Sequence, residues 1–245
     1  MNILDKYALK ARLFPALLTL VPALALAFFA VSWTSIGPSQ AFTAVAIAVL
    51  FFFFSDLARR AGKRVEPKVF AAMGGIPSVT LLRHRDRTID SKTKARYVDF
   101  LASKLGESAP TREQEIEEPG DADHFYERCG TWLREHTRDK VRFEVLFNEL
   151  VTYGFRRNLY GLRWWGLSLN AIVVAICLWL LYRPDASVSL AEAIESGLFP
   201  VFVVAAIHAI GFGLWVTRGA VIDAAKQYAR QLILSCEGLM VAAVS

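Results

Sequence analysis

Between Leu13 and Ser55 the sequence contains no Asp, Glu, Lys or Arg, a gap of 43 residues in a chain whose charged fraction is 21%. A soluble fold cannot use such a stretch, because its surface helices need a polar face. Cysteine is scarce as well. Cys129, Cys177 and Cys236 share no close spacing, so no disulfide framework or zinc site follows from them. Missing too are His-Glu-x-x-His, a phosphate-binding glycine-rich loop and a Gly-x-Ser-x-Gly elbow. The chain is therefore expected not to be an enzyme and to need no cofactor. No stretch alternates apolar and polar residues with period two, so strands are not expected. An all-α chain remains.

What is present is apolar. The hydrophobic fraction is 54%, Phe alone occurs 17 times and the mean hydropathy is +0.35, above the roughly 45 to 50% apolar share of soluble domains. A helix crosses a bilayer in about 20 residues, so the uncharged stretch holds two crossings, from Phe14 to Trp33 and from Ala41 to Phe54. The turn between them runs from Thr34 to Gln40, with Pro38 suited to the first position of the second helix. Two antiparallel helices satisfy every backbone group inside lipid. Lys6, Lys10 and Arg12 ahead of the first run also fit a cleaved leader, but a leader's apolar core is only about 7 to 15 residues long. Two more uncharged runs follow, Trp164 to Tyr182 and Ser196 to Thr217.

The fold class expected is thus all-α, an integral membrane protein with four transmembrane helices in two hairpins and a helical cytoplasmic domain inserted between them. Its boundaries are 1–58 for the first hairpin, 59–163 for the domain, 164–217 for the second hairpin and 218–245 for a cytoplasmic helical tail. Basic residues set the orientation: Lys6, Lys10 and Arg12 precede the first span, and Arg59, Arg60, Lys63, Arg64 and Lys68 follow the second. The turn at Thr34 to Gln40 has no charge, and the loop from Arg183 to Ser196 is acidic through Asp185, Glu192 and Glu195. Both termini are expected in the cytoplasm. Inside the domain, Gly74-Gly75-Ile76-Pro77 breaks a helix, Asp90 caps one that Gly106 ends, and Pro110-Thr111 starts one that Pro119-Gly120 ends. Asp121 is expected to cap the next, with Phe125, Tyr126, Cys129, Trp132 and Leu133 on its apolar face. Phe143, Leu146, Phe147, Leu150 and Tyr153 mark another. From Arg218 the fourth span is expected to continue as a helix that docks on the domain.

Basic residues supply the first candidate site. Arg83, Arg85 and Arg87 crowd together beside His84, Lys92, Lys94 and Arg96 follow, and Arg156 and Arg157 come near the third span. Guanidinium forks suit phosphates, and Tyr97, Phe155 or Trp132 is placed to stack a base. Solvation and contact with anionic lipid headgroups, about 1 kcal/mol for each cation, explain the same cluster. Polar residues inside spans supply the second candidate. Asn170 and His208 stand out, and His208 shares its helix with Ala205, Ala209 and Gly213, a small-xxx-small spacing. Pore lining and helix packing both fit them. Asp121, Asp123 and His124 have the types of a metal site, although a helix cap and a first-turn acid explain the two aspartates.

Two short hairpins bracketing a helical sensor, with almost nothing outside, resemble the four-span membrane effectors of bacterial anti-phage defence systems. The resemblance lies in the plan: the uncharged first hairpin, the Arg83 to Arg87 cluster and the paired later spans. Among these effectors the chain looks like the DNA-gated channel effector of Hailong-type defence. That resemblance implies a homo-oligomeric, tetrameric pore in the bacterial inner membrane, controlled by a nucleotide or single-stranded oligonucleotide on the cytoplasmic side. A membrane scaffold that docks a soluble partner, and a membrane-bound metal-dependent enzyme using Asp121 to His124, are the competing readings.

Overall fold

The computed structural model describes residues 6–30, 38–181, 194 and 197–244. Every regular element among them is helical. The first, α1 (Lys6–Ala8), passes through a π-helical turn at Leu9–Leu13 into α2 (Phe14–Ala30). Pro38 opens α3 (Pro38–Ala71), which then runs on well beyond Phe54. The arginines and lysines between Phe54 and Ala71 are good helix formers, Arg60 pairs with Asp56 one turn earlier at 2.7 Å, and the helix carries Pro67 in its interior without ending there. Part of the expected turn at Thr34 to Gln40, and nearly all of the loop from Arg183 to Ser196, lie outside the described residues.

Gly74 and Gly75 then reverse the chain at φ 75 and 133, values that a side chain resists. The short α4 (Pro77–Thr80) follows. Helix α5 (Ser91–Leu105) begins where the Asp90 carboxylate accepts the Thr93 N–H at 3.0 Å, and ends at Gly106 with φ 66. Thr111 and Gln114 form a reciprocal capping box at the start of α6 (Arg112–Glu117). Helix α7 (Pro119–His136) corrects the expected boundary, because Pro119 is its first residue and Asp121 lies inside its first turn. A proline lacks only an N–H that a helix start leaves unbonded anyway, so it opens a helix as readily as it ends one.

Helix α8 (Glu144–Gly161) leads through Leu162 into α9 (Arg163–Leu181). Helix α10 (Phe199–Leu214) does not continue as expected. The chain is interrupted at residues 215–217, where Thr217 accepts the Ala220 N–H at 3.2 Å and starts α11 (Arg218–Leu234). A threonine oxygen offers the backbone that alternative to the helix ladder. Helix α12 (Cys236–Val244) closes the chain. Among the described residues, three helical segments, Leu9–Phe29, Ala41–Ala71 and Arg163–Leu181, are long and apolar enough to cross a membrane, and α10 counts as a fourth only together with α11.

Two compact units result. The first comprises Met1–Val65 and Gly154–Ala220, the second Glu66–Tyr153 and Val221–Ser245. Each boundary falls inside a helix, α3, α8 or α11. In the first unit α2, α9 and α10 pack on one another, with Val173, Cys177 and Val201 buried at one level. Helices α3 and α8 meet through Gly62 and Gly161, where an added Cβ would collide with Asn158 Oδ1 in the one case and lie 2.5 Å from the Ala61 carbonyl carbon in the other. The second unit has its own core, centred on Leu82, Leu101, Tyr126, Leu133, Leu232 and Ile233. Truncating one such leucine to alanine costs about 2 to 5 kcal/mol.

Candidate functional site

Residues 81–90 of the second unit form an irregular loop, and buried charges hold it. Arg83 forks onto Asp123 of α7, with Nε donating to Oδ1 at 2.7 Å and Nη2 to Oδ2 at 2.6 Å, while Nη1 donates to the Gly74 carbonyl at 3.1 Å. This bond to Asp123 raises the Arg83 pKa above its ordinary value. Lys94, reaching from α5, donates its ammonium to the carbonyls of Arg83 at 2.9 Å and Asp86 at 2.6 Å. Burial lowers its pKa, an effect that Asp86 and Glu115 only partly offset. The buried Glu115 carboxylate accepts the His84 N–H at 2.8 Å and the Tyr126 hydroxyl at 2.9 Å. Burial and that carboxylate push the Tyr126 phenol far above its usual range. A loop without a ladder of its own needs such side chains to satisfy its backbone.

The frame turns Arg85 outward. With Lys226 and Arg230 of α11 and the backbone at Gly74, Arg85 lines a groove of about 430 Å³ that Thr88 and Asp86 also border. Asp86 is engaged already: it lies 3.7 Å from the Lys94 ammonium and accepts the Thr88 N–H at 2.8 Å. Asp123 likewise neutralises Arg83. Arg85, Lys226 and Arg230 are exposed and make no ion pair or hydrogen bond among the described residues. Three uncompensated cations around one concavity attract an anion, and their forked and rotatable donors match phosphate oxygens.

The other predicted phosphate ligands take different places. Arg87 and Lys92 are exposed, and Arg96 pairs with Glu237 at 2.6 Å. Arg156 and Arg157 belong to the first unit. There Arg156 donates to the Ala220 carbonyl at 3.4 Å, and Arg157 lies buried against Asn158. Of the stacking candidates, Tyr97 is buried, Phe155 packs against Leu159, Phe212 and Val216, and Trp132 stacks on His136 at 3.9 Å. Lys226 and Arg230 escaped the sequence reading because they pass for the wet face of an amphipathic helix. Their one signal is the i, i+4 repetition of positive charge.

The intramembrane candidates gather in the first unit. Asn170 of α9 donates to the Ala205 carbonyl of α10 at 3.0 Å, while its Oδ1 has no partner among the described residues. His208 is buried and stacks on Phe212 at 4.2 Å. Neither ring nitrogen reaches hydrogen-bond geometry, yet the ring faces the backbone of Leu18. Pro22 lies one turn beyond Leu18 in α2 and has no N–H to offer its carbonyl. Ala205 is buried in the same packing, whereas Ala209 and Gly213 are half-buried, the Gly213 carbonyl accepting from Arg163 at 3.1 Å.

No group of three or more His, Cys, Asp or Glu side chains is placed to hold a metal among the described residues. Asp123 of the Asp121 to His124 run serves Arg83 instead. Compared with family models, with curated proteins and with solved structures, the chain matches none.

Proposed function

We propose that the chain is a membrane effector that assembles as a homo-oligomer, four copies in the simplest case, around an ion path controlled by a phosphate-bearing ligand. The ligand is a nucleotide or short single-stranded oligonucleotide, held in the groove by Arg85, Lys226 and Arg230. One observation carries this reading: these three cations share one groove without partners among the described residues, in a chain that also holds at least three helices apolar enough for a bilayer. The apolar part of α3 supports self-association, since Phe42 and Phe52 are 77% and 67% exposed. Four spans, both termini and the second unit in the cytoplasm, and a role in anti-phage defence at the bacterial inner membrane complete the proposal. They follow from the charge distribution and the resemblance of the overall plan.

Fluorescence anisotropy with a labelled single-stranded oligonucleotide tests the ligand. The purified protein should bind it at low salt. Three single-strand phosphate contacts should give a log–log salt slope of about −2. Changing Arg85, Lys226 and Arg230 together to Glu should weaken binding at least a hundredfold. Equal binding by parent and variant, or none by the parent, refutes the groove as the site.

A further inference from the structure

A second cavity in the same unit has a different chemistry. It encloses about 280 Å³, and its walls come from the stretches of α3, α8 and α11 that begin at the unit boundaries: Glu66 and Phe70, Tyr153, and Ala225 with Tyr228. The fourth wall is α7, with Glu127. The Tyr153 and Tyr228 rings are parallel, 1° apart in orientation with centroids 6.1 Å apart, and the Tyr153 hydroxyl donates to Glu66 Oε1 at 2.5 Å. Glu127 is exposed, lines both this cavity and a shallow concavity beside it that His124 and Thr131 border, and its carboxylate makes no ion pair or hydrogen bond among the described residues. Arg134 is the single cation on the lining, against two carboxylates.

We infer that this cavity binds a small organic cation with a flat apolar body, the class to which aromatic amines belong. Tyrosine faces attract a cation and accept a ring alongside, while the Glu127 carboxylate supplies an open counter-charge. The small side chain of Ala225, buried on the lining, leaves the room. An occupant here fixes the spacing of α3, α8 and α11, the three helices that run on into the first unit. Ligands affect such packing only through their difference in affinity for its alternatives. Helix α11 is common to both sites, since Lys226 and Arg230 line the groove while Ala225 and Tyr228 line the cavity.

The test uses the full chain in detergent micelles and two probes with one ring system and opposite charge, tryptamine and indole-3-acetate, followed by saturation-transfer NMR. Tryptamine should bind saturably and at least tenfold more tightly than indole-3-acetate. Glu127→Gln should weaken tryptamine about tenfold, and Ala225→Phe should abolish its binding by filling the cavity. Because Ala225 is buried, the exposed Glu127→Gln decides the matter if the Phe variant does not fold. Equal binding of the two probes, or tryptamine binding untouched by Glu127→Gln, overturns the inference.

Discussion

The two units satisfy their buried polar groups to different degrees. In the second, buried Arg83, Lys94 and Glu115 are each tied to named partners, and the network gives shape to a loop that has no regular structure. In the first, buried Asn158 donates to the Ala11 carbonyl at 2.6 Å and Asn170 to the Ala205 carbonyl, but Asn170 Oδ1 and both nitrogens of His208 lack partners at hydrogen-bond geometry among the described residues, and α3 and α8 meet by close approach at Gly62 and Gly161. If the first unit lies in a bilayer, as proposed, the difference is one of driving force. Where a unit buries apolar surface from water, charged pairs can be added at the cost of desolvation. Where the surroundings are as apolar as the helices, close packing and a few polar contacts must do the joining.

The largest break in this contrast is expected at the α3–α8 crossing. Gly161→Leu drives a side chain into the backbone of Ala61, and backbone cannot yield as a side-chain tip can. We expect a cost of about 3 kcal/mol or more, read as loss of monodisperse protein on size exclusion. Gly130→Ala in the second unit serves as the control, because its new methyl meets the Ser78 hydroxyl at 3.1 Å, a group able to shift. If both variants purify equally well, close approach does not hold the first unit.

Next comes a pair of arginines two residues apart. Arg83→Ala leaves Asp123, a third exposed, and the Gly74 carbonyl without their donor, a loss of about 1 to 3 kcal/mol. Arg85→Ala removes nothing that the fold uses and should stay within about 0.5 kcal/mol. Denaturant melts followed by hydrogen exchange in α7 separate the two. Ligand binding should rank them the other way, with Arg85→Ala giving a fully folded protein that binds the oligonucleotide poorly.

A smaller effect sharpens the account of the first unit. If the His208 ring serves the Leu18 carbonyl that Pro22 leaves without a donor, His208→Leu should cost about 1 kcal/mol, the scale of polar contacts between membrane helices. In a Pro22→Ala background, where the substituted residue supplies its own N–H, most of that cost should vanish. A double-mutant cycle on thermal stability in detergent measures the coupling. Additive costs mean that His208 acts elsewhere.

Local features of the fold were legible because their causes are local. Asp90, Gly106, Thr111 and Pro38 act on the nearest turn of backbone, and each stands where its chemistry places it. Pro119 misled because one residue type opens helices and ends them. The burial of Arg83 and Lys94 was illegible for a deeper reason. A lysine in sequence reads as solvated, and nothing near Lys94 announces that two carbonyls of an irregular loop will draw its ammonium inside. The groove was hidden by distance along the chain: Arg85 and the Lys226–Arg230 pair each look like ordinary surface charge until the fold sets them around one cavity.

Ion flux from vesicles reads the groove and the membrane in one experiment. Full-length protein reconstituted in liposomes loaded with a potassium-sensitive dye should change its flux when a single-stranded oligonucleotide is added on the side of the second unit. The variant with Arg85, Lys226 and Arg230 changed to Glu should reconstitute equally well and not respond. A parent that conducts identically with and without the oligonucleotide, or a variant that responds like the parent, contradicts the account.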